Sequence, residues 1–161
     1  MKGAVAELVI AAEALKAGVL VFRPLVEGGR YDLIFDVGAR LHRVQCKYAS
    51  VRRDVVVIPA RTCRSTPRGY VRTTYTASEV DALAAYCPET EACYFVPIAD
   101  VAGRGNVYLR LTRARNNQQI AISYAADYEF HGAIAQLGER LTGSQEVGGS
   151  NPPSSTPLEA A

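Results

Sequence analysis

The chain has 161 residues, 48% hydrophobic and 21% charged, with a formal net charge of +2. Such proportions suit one globular domain able to bury about two-thirds of its unfolded surface, and they exclude collagen-like, coiled-coil and wholly disordered readings. No apolar run reaches the ~18 residues of a membrane span, and Glu7 and Glu13 interrupt the apolar start, so a cytoplasmic protein without span or signal peptide is expected.

In chain order, residues 3–17 predict a helix with Val5, Leu8, Val9, Ala12 and Leu15 as its apolar stripe and Gly18 as its stop. VLVFRPL reads as a short strand and EGGR, at 27–30, as a turn. YDLIFDV (31–37) alternates, with Tyr31, Leu33, Phe35 and Val37 on one face and Asp32, Ile34 and Asp36 on the other. Gly38-Ala39 predicts a tight hairpin into LHRVQCKYA (41–49). There Val44, Cys46 and Tyr48 face one way, and Arg43, Gln45 and Lys47 the other. VVVIPA (55–60) is the next strand, and residues 61–72 read as a basic loop. Thr76-x-x-Glu79 fits a capping box opening a helix through about Tyr86. CYFVPI (93–98) and NVYLRLT (106–112) complete the strands, and the expected class is α/β with a mixed sheet.

After Phe130 the chain turns rich in Gly, Ser and Pro without sustained periodicity. This predicts a domain over 1–130 and a disordered tail over 131–161. Reverse translation of residues 135–140 and 148–152 permits the D-arm and T-arm of a tRNA. The tail therefore resembles a reading frame continued into a tRNA gene.

Charge is concentrated where the net value hides it. Residues 40–72 hold nine Lys or Arg against one acid, Asp54. Such a stretch attracts a polyanion and makes binding salt-dependent. Arg52, Arg53, Arg61, Arg64 and Arg68 are the candidate DNA contacts, acting mainly on phosphates. The competing reading is a solvated face in an Arg-rich chain. Four Cys and two His lack the paired spacing of a zinc site and read as reduced thiols and isolated imidazoles.

The hairpin brings Asp32 near Gln45 and Lys47, so that a carboxylate, an amide oxygen and an ammonium converge. With Glu7 from the first helix this makes an oxygen-rich site suited to Mg²⁺, beside a lysine. Asp36 lies on the same face, about 13 Å along the strand, and reads as structural. The plainer alternative is a polar, solvent-exposed sheet face.

Glu7 in a first helix, then RYDLIFD, then RVQCKYA, resembles the PD-(D/E)XK nuclease superfamily. The likeness is to its homing-endonuclease-like bacterial branch, which carries Gln at the motif's acidic position. YCPETEACYFVPIADV, LRLTRARNNQ and ADYEF are similar to that branch too, and the spacing also resembles archaeal Holliday-junction resolvases. The resemblance covers residues 2–130. It implies a restriction-endonuclease-like core, a mixed central sheet flanked by helices, and Mg²⁺-dependent hydrolysis of double-stranded DNA. Two cuts from a one-site domain imply a homo-oligomer, a dimer or tetramer.

Position by position, the resemblance makes Glu7 the acid that orients or helps coordinate the metal, and Asp32 a metal ligand. Gln45 and the Cys46 backbone carbonyl supply further oxygens, and Lys47 polarises the attacking water. Tyr31 stands where the motif has Pro. Gln45 removes a negative charge, which leaves a non-catalytic DNA-binding protein on the same fold as the alternative, beside a Holliday-junction resolvase and a plain structural domain.

Overall fold

Alternating apolar residues build the centre of the molecule. The computed structural model describes residues 1–26, 28–67, 69–101, 103–113 and 122–143, without the side chains of 64, 65 and 140–143. In chain order the elements are α1 (Lys2–Lys16), β1 (Leu20–Phe22), β2 (Leu33–Val37), β3 (Arg40–Tyr48), β4 (Ser50–Arg52), β5 (Val55–Pro59) and β6 (Arg61–Thr66). There follow β7 (Gly69–Thr74), β8 (Ala82–Cys87), β9 (Ala92–Pro97), a short helix α2 (Ile98–Val101), β10 (Asn106–Arg110), a 3₁₀ turn (Ala125–Tyr128) and α3 (Phe130–Gly143).

The main sheet runs β1-β2-β3-β8-β9, with β3 and β8 parallel and the other pairs antiparallel. The β2–β3 hairpin closes as expected: Gly38 and Ala39 both take positive φ (58° and 61°), the geometry a two-residue turn needs to match strand twist. Helices α1 and α3 cover one face, burying Leu33, Phe35, Val37, Val44 and Phe95 with Ala6, Ile10 and Ile134. The three-stranded sheet β10-β5-β4 covers part of the other, around Leu83, Ala85, Val96, Ile58 and Leu109. The architecture is mixed α/β, as expected.

Several expectations are corrected. The buried face of α1 is Ala6, Ile10 and Ala14, while Val5, Leu8 and Leu15 are exposed. Small side chains let the helix lie close on the sheet, so size and not hydrophobicity alone selects the face. Thr76 and Glu79 do form the expected local bonds: Glu79 accepts from the Thr76 N–H and hydroxyl at 3.0 Å each. No helix follows, however, because 82–87 is strand β8. Ala82, Leu83, Ala84 and Ala85 are buried on both faces, and a doubly covered parallel strand shows no alternation to distinguish it from a helix. The basic loop at 61–72 is the hairpin β6–β7, paired from Arg61↔Thr74 to Thr66↔Gly69. Finally, residues 131–143 of the expected tail form most of α3. Ile134 is only 5% exposed and Phe130 meets Phe35 and Phe95 edge-on, so the packed core extends past Phe130. Residues 144–161 lie outside the described ones. Among the described residues no helix is long and apolar enough to cross a membrane.

Candidate active site

Asp32 and Gln45 meet where the β2–β3 pairing runs on past its last ladder pair, Leu33↔Val44. The Asp32 backbone N–H donates to the Val44 carbonyl at 3.0 Å, which continues the alternation and puts its side chain on the face of Gln45. The Asp32 carboxylate accepts the Cys46 N–H at 2.9 Å and the Gln45 side-chain N–H. Gln45 Nε2 also donates to the Cys46 carbonyl, at 3.3 Å. One amide group therefore joins the two other oxygen donors expected at the site.

The neighbouring strand dries this corner. Leu83 stands beside Gln45 and Ala85 beside Lys47 in the parallel pairing, and Gln45 is 8% exposed. Burial holds the Asp32 carboxyl above its usual pKa, against the pull of the Cys46 N–H and the Lys47 charge. Burial likewise pulls the Lys47 ammonium below its usual value, opposed by the Asp32 charge. Lys47 Nζ donates to the Tyr75 hydroxyl at 2.7 Å, and burial pushes that phenol up to about 12. The Cys46 thiol points into the helix-side core, where burial pushes its pKa far up and leaves it a poor nucleophile.

Glu7 approaches from α1. It pairs with Arg23 at 3.1 Å, and Glu7, Arg23, Tyr31 and Asp32 line one open groove whose rim includes Gly28 and Gly29. Four of the sequence candidates, Glu7, Asp32, Gln45 and Lys47, thus belong to one region. Among the described residues no three His, Cys, Asp or Glu side chains gather, so any cation here depends on amide and carbonyl oxygens as well as carboxylates.

The basic candidates divide. Arg52 and Arg53 are exposed at the β4–β5 turn, and Arg61 begins β6 at the far end of β5, roughly 17 Å away at about 3.4 Å per residue. Arg61 also donates to the Gly105 carbonyl at 3.3 Å, so part of its work is structural. Arg64 lies in β6 with its side chain outside the described ones, and Arg68 lies outside the described residues altogether. Two neighbours of the site carried no signal in the sequence, Tyr75 and Arg30. Arg30 stacks on the Tyr75 ring at 4.7 Å and pairs with Glu79 at 2.9 Å.

A family model for PD-(D/E)XK endonucleases matches residues 1–131. The chain belongs to the PD-(D/E)XK endonuclease family. Its membership makes it a nuclease of the hydrolase class, and members of this family generally use divalent metal ions and act on DNA. Among solved structures it is similar to a bacterial homing endonuclease, I-Ssp6803I, at 28% identity and a TM-score of 0.69. That match covers 91% of this chain and 97% of the other. No curated protein matches. In this fold the Asp32 carboxylate touches the Gln45 amide and feels the charge of Lys47.

Proposed function

We propose that this chain is a Mg²⁺-dependent, homing-endonuclease-like endodeoxyribonuclease working at Asp32, Gln45, Cys46 and Lys47, with Glu7 in support. The observation that carries the reading is the Gln45 amide, held between the Asp32 carboxylate and the Cys46 carbonyl. Turning that amide over presents Oε1 in place of Nε2 and gives three oxygens in one corner, a donor set that fits a hard cation. When bound, the cation acidifies water and neutralises charge on the scissile phosphate.

The chain's own groups do the rest. Lys47 directs its ammonium at the developing phosphorane charge in a site dried by Leu83 and Ala85, where such an interaction is strong. Glu7, tethered by Arg23, orients groups in the groove it shares with Asp32. Water adds to phosphorus, one P–O ester bond breaks, and the departing oxygen takes a proton. Arg52, Arg53, Arg61, Arg64 and Arg68 hold backbone phosphates of double-stranded DNA. Cutting both strands calls for a homo-oligomer, a dimer or tetramer.

The second reading, a DNA-binding protein without catalysis, is favoured by Gln45 standing where a carboxylate would bind the cation more tightly. Supercoiled plasmid with purified protein separates the two. Wild type should nick or linearise plasmid in Mg²⁺ and not in EDTA, and Lys47→Ala should do neither. Salt-dependent retention of plasmid without cleavage in Mg²⁺ would establish the second reading instead.

A further inference from the structure

Lys47 is expected to need fixing, because a lysine side chain carries about 2 kcal/mol of rotamer entropy and a point charge must sit at a defined distance from phosphorus. The structure supplies the fixture from a distant part of the chain. Tyr75 directly follows β7, is 3% exposed, and accepts the Lys47 ammonium on its hydroxyl at 2.7 Å. The same ammonium lies 4.8 Å from the ring centroid, at the hydroxyl edge of the ring, so the hydroxyl is the atom that holds it.

The ring is itself held. The Arg30 guanidinium lies 4.7 Å from its centroid and donates to the Thr74 carbonyl (2.8 Å), Thr73 Oγ1 (3.2 Å) and Thr62 Oγ1 (3.3 Å). Glu79 neutralises Arg30 from the turn beyond. Tyr75 is thus clamped at the base of the β6–β7 hairpin while its hydroxyl reaches the lysine.

We propose that Tyr75 is a positioning residue for nuclease cleavage, holding the Lys47 ammonium in the site through its hydroxyl while Arg30 fixes the ring against the hairpin base. The assignment rests on the role of Lys47 given under the proposed function. A phenol kept neutral by its high pKa accepts a hydrogen bond from an ammonium without cancelling its charge, as a carboxylate would. Tyr75 need touch neither DNA nor cation to matter.

Tyr75→Phe is the decisive variant, since it removes only the hydroxyl and leaves the ring for Arg30. Single-turnover cleavage of plasmid in Mg²⁺ should slow about tenfold, the order expected when a reacting group loses its placement. DNA affinity without Mg²⁺ and melting temperature should stay at wild-type values. Lys47→Ala, assayed in parallel, distinguishes failure of the positioning role from failure of the site. If Lys47→Ala is inactive and Tyr75→Phe cuts at the wild-type rate, the positioning role is overturned and the active site stands. If Lys47→Ala cuts at the wild-type rate, the active site itself is wrong. A slowing of Tyr75→Phe matched by weaker DNA binding or a lower melting temperature would make the residue structural and also overturn the role.

Discussion

The hairpins β2–β3 and β6–β7 are both antiparallel and both tightly paired, yet they have opposite surroundings. Every second residue of β2 is buried, and Phe35 stacks on Phe95 at 6.3 Å with Phe130 edge-on at 6.0 Å. Every residue of β7 is exposed, and the pairing partners are mostly Thr, Arg and Ser. The first hairpin anchors Asp32 and Gln45 because its Leu33, Phe35 and Val37 face is packed in the core. The second holds nothing internal except through Arg30 at its base. The proposed chemistry sits on the hairpin packed in the core, and much of the proposed DNA-binding charge on the one whose second strand is exposed.

That contrast breaks first at Asp32. Asp32→Asn should lower plasmid cleavage by about a thousandfold, since several kcal/mol of cation-assisted stabilisation are lost. The same change should raise the melting temperature in EDTA at pH 7 by about 2 °C. Burial raises the Asp32 pKa in the fold, so its ionised form costs stability above the unfolded carboxyl's pKa. The advantage of Asn must then fade as pH falls through the carboxylate range. Calorimetric scans at several pH values check this, and a variant less stable than wild type at pH 7 would remove the strain from the site.

Core truncations sharpen the comparison. Phe35→Ala should cost about 3–5 kcal/mol and Ile134→Ala about 2–4 kcal/mol in urea unfolding. Tyr70→Ala, on the exposed hairpin, should stay within about 0.5 kcal/mol. Gln45→Glu should keep or tighten Mg²⁺ binding by titration calorimetry, because it restores a charged oxygen donor; loss of binding would take Gln45 out of the ligand set. The smallest effect is expected at the basic residues. Replacing Arg61, Arg64 and Arg68 by Ala should weaken DNA binding across sequences and flatten the log-affinity versus log-salt slope by about 0.9 for each phosphate no longer neutralised. An unchanged slope would place the DNA elsewhere.

Legibility in the sequence followed the same division. The β2–β3 hairpin was readable because one face is apolar and the other mostly polar, so period two survives in YDLIFDV and LHRVQCKYA. Asp32, Gln45 and Lys47 came with it, and Glu7 stood out as a charge in an apolar helix. Strand β8 was unreadable for the converse reason, since ALAAYC is covered on both sides. The β6–β7 hairpin escaped because β7 is exposed throughout, and pairing alone leaves no mark on hydropathy. In α1 the large apolar residues misled, the packing against the sheet being made by Ala6 and Ala14. Tyr75 and Arg30 are joined to the site only by long-range packing, which no local pattern records.

The parallel pairing of β3 with β8 also divides the contacts of the site by their span along the chain. The Asp32–Gln45 contact spans 13 residues inside one hairpin, whereas Lys47 meets Tyr75 across 28 and lies against β8 with β4 to β7 between them in the chain. Loop closure of the longer kind is slower, and parallel crossovers are slowest of all. The proposed metal-binding corner is therefore closed by contacts local in the chain, and the proposed catalytic lysine by distant ones. Since β8 ends at Cys87, a chain grown to that point already holds every residue proposed for the site.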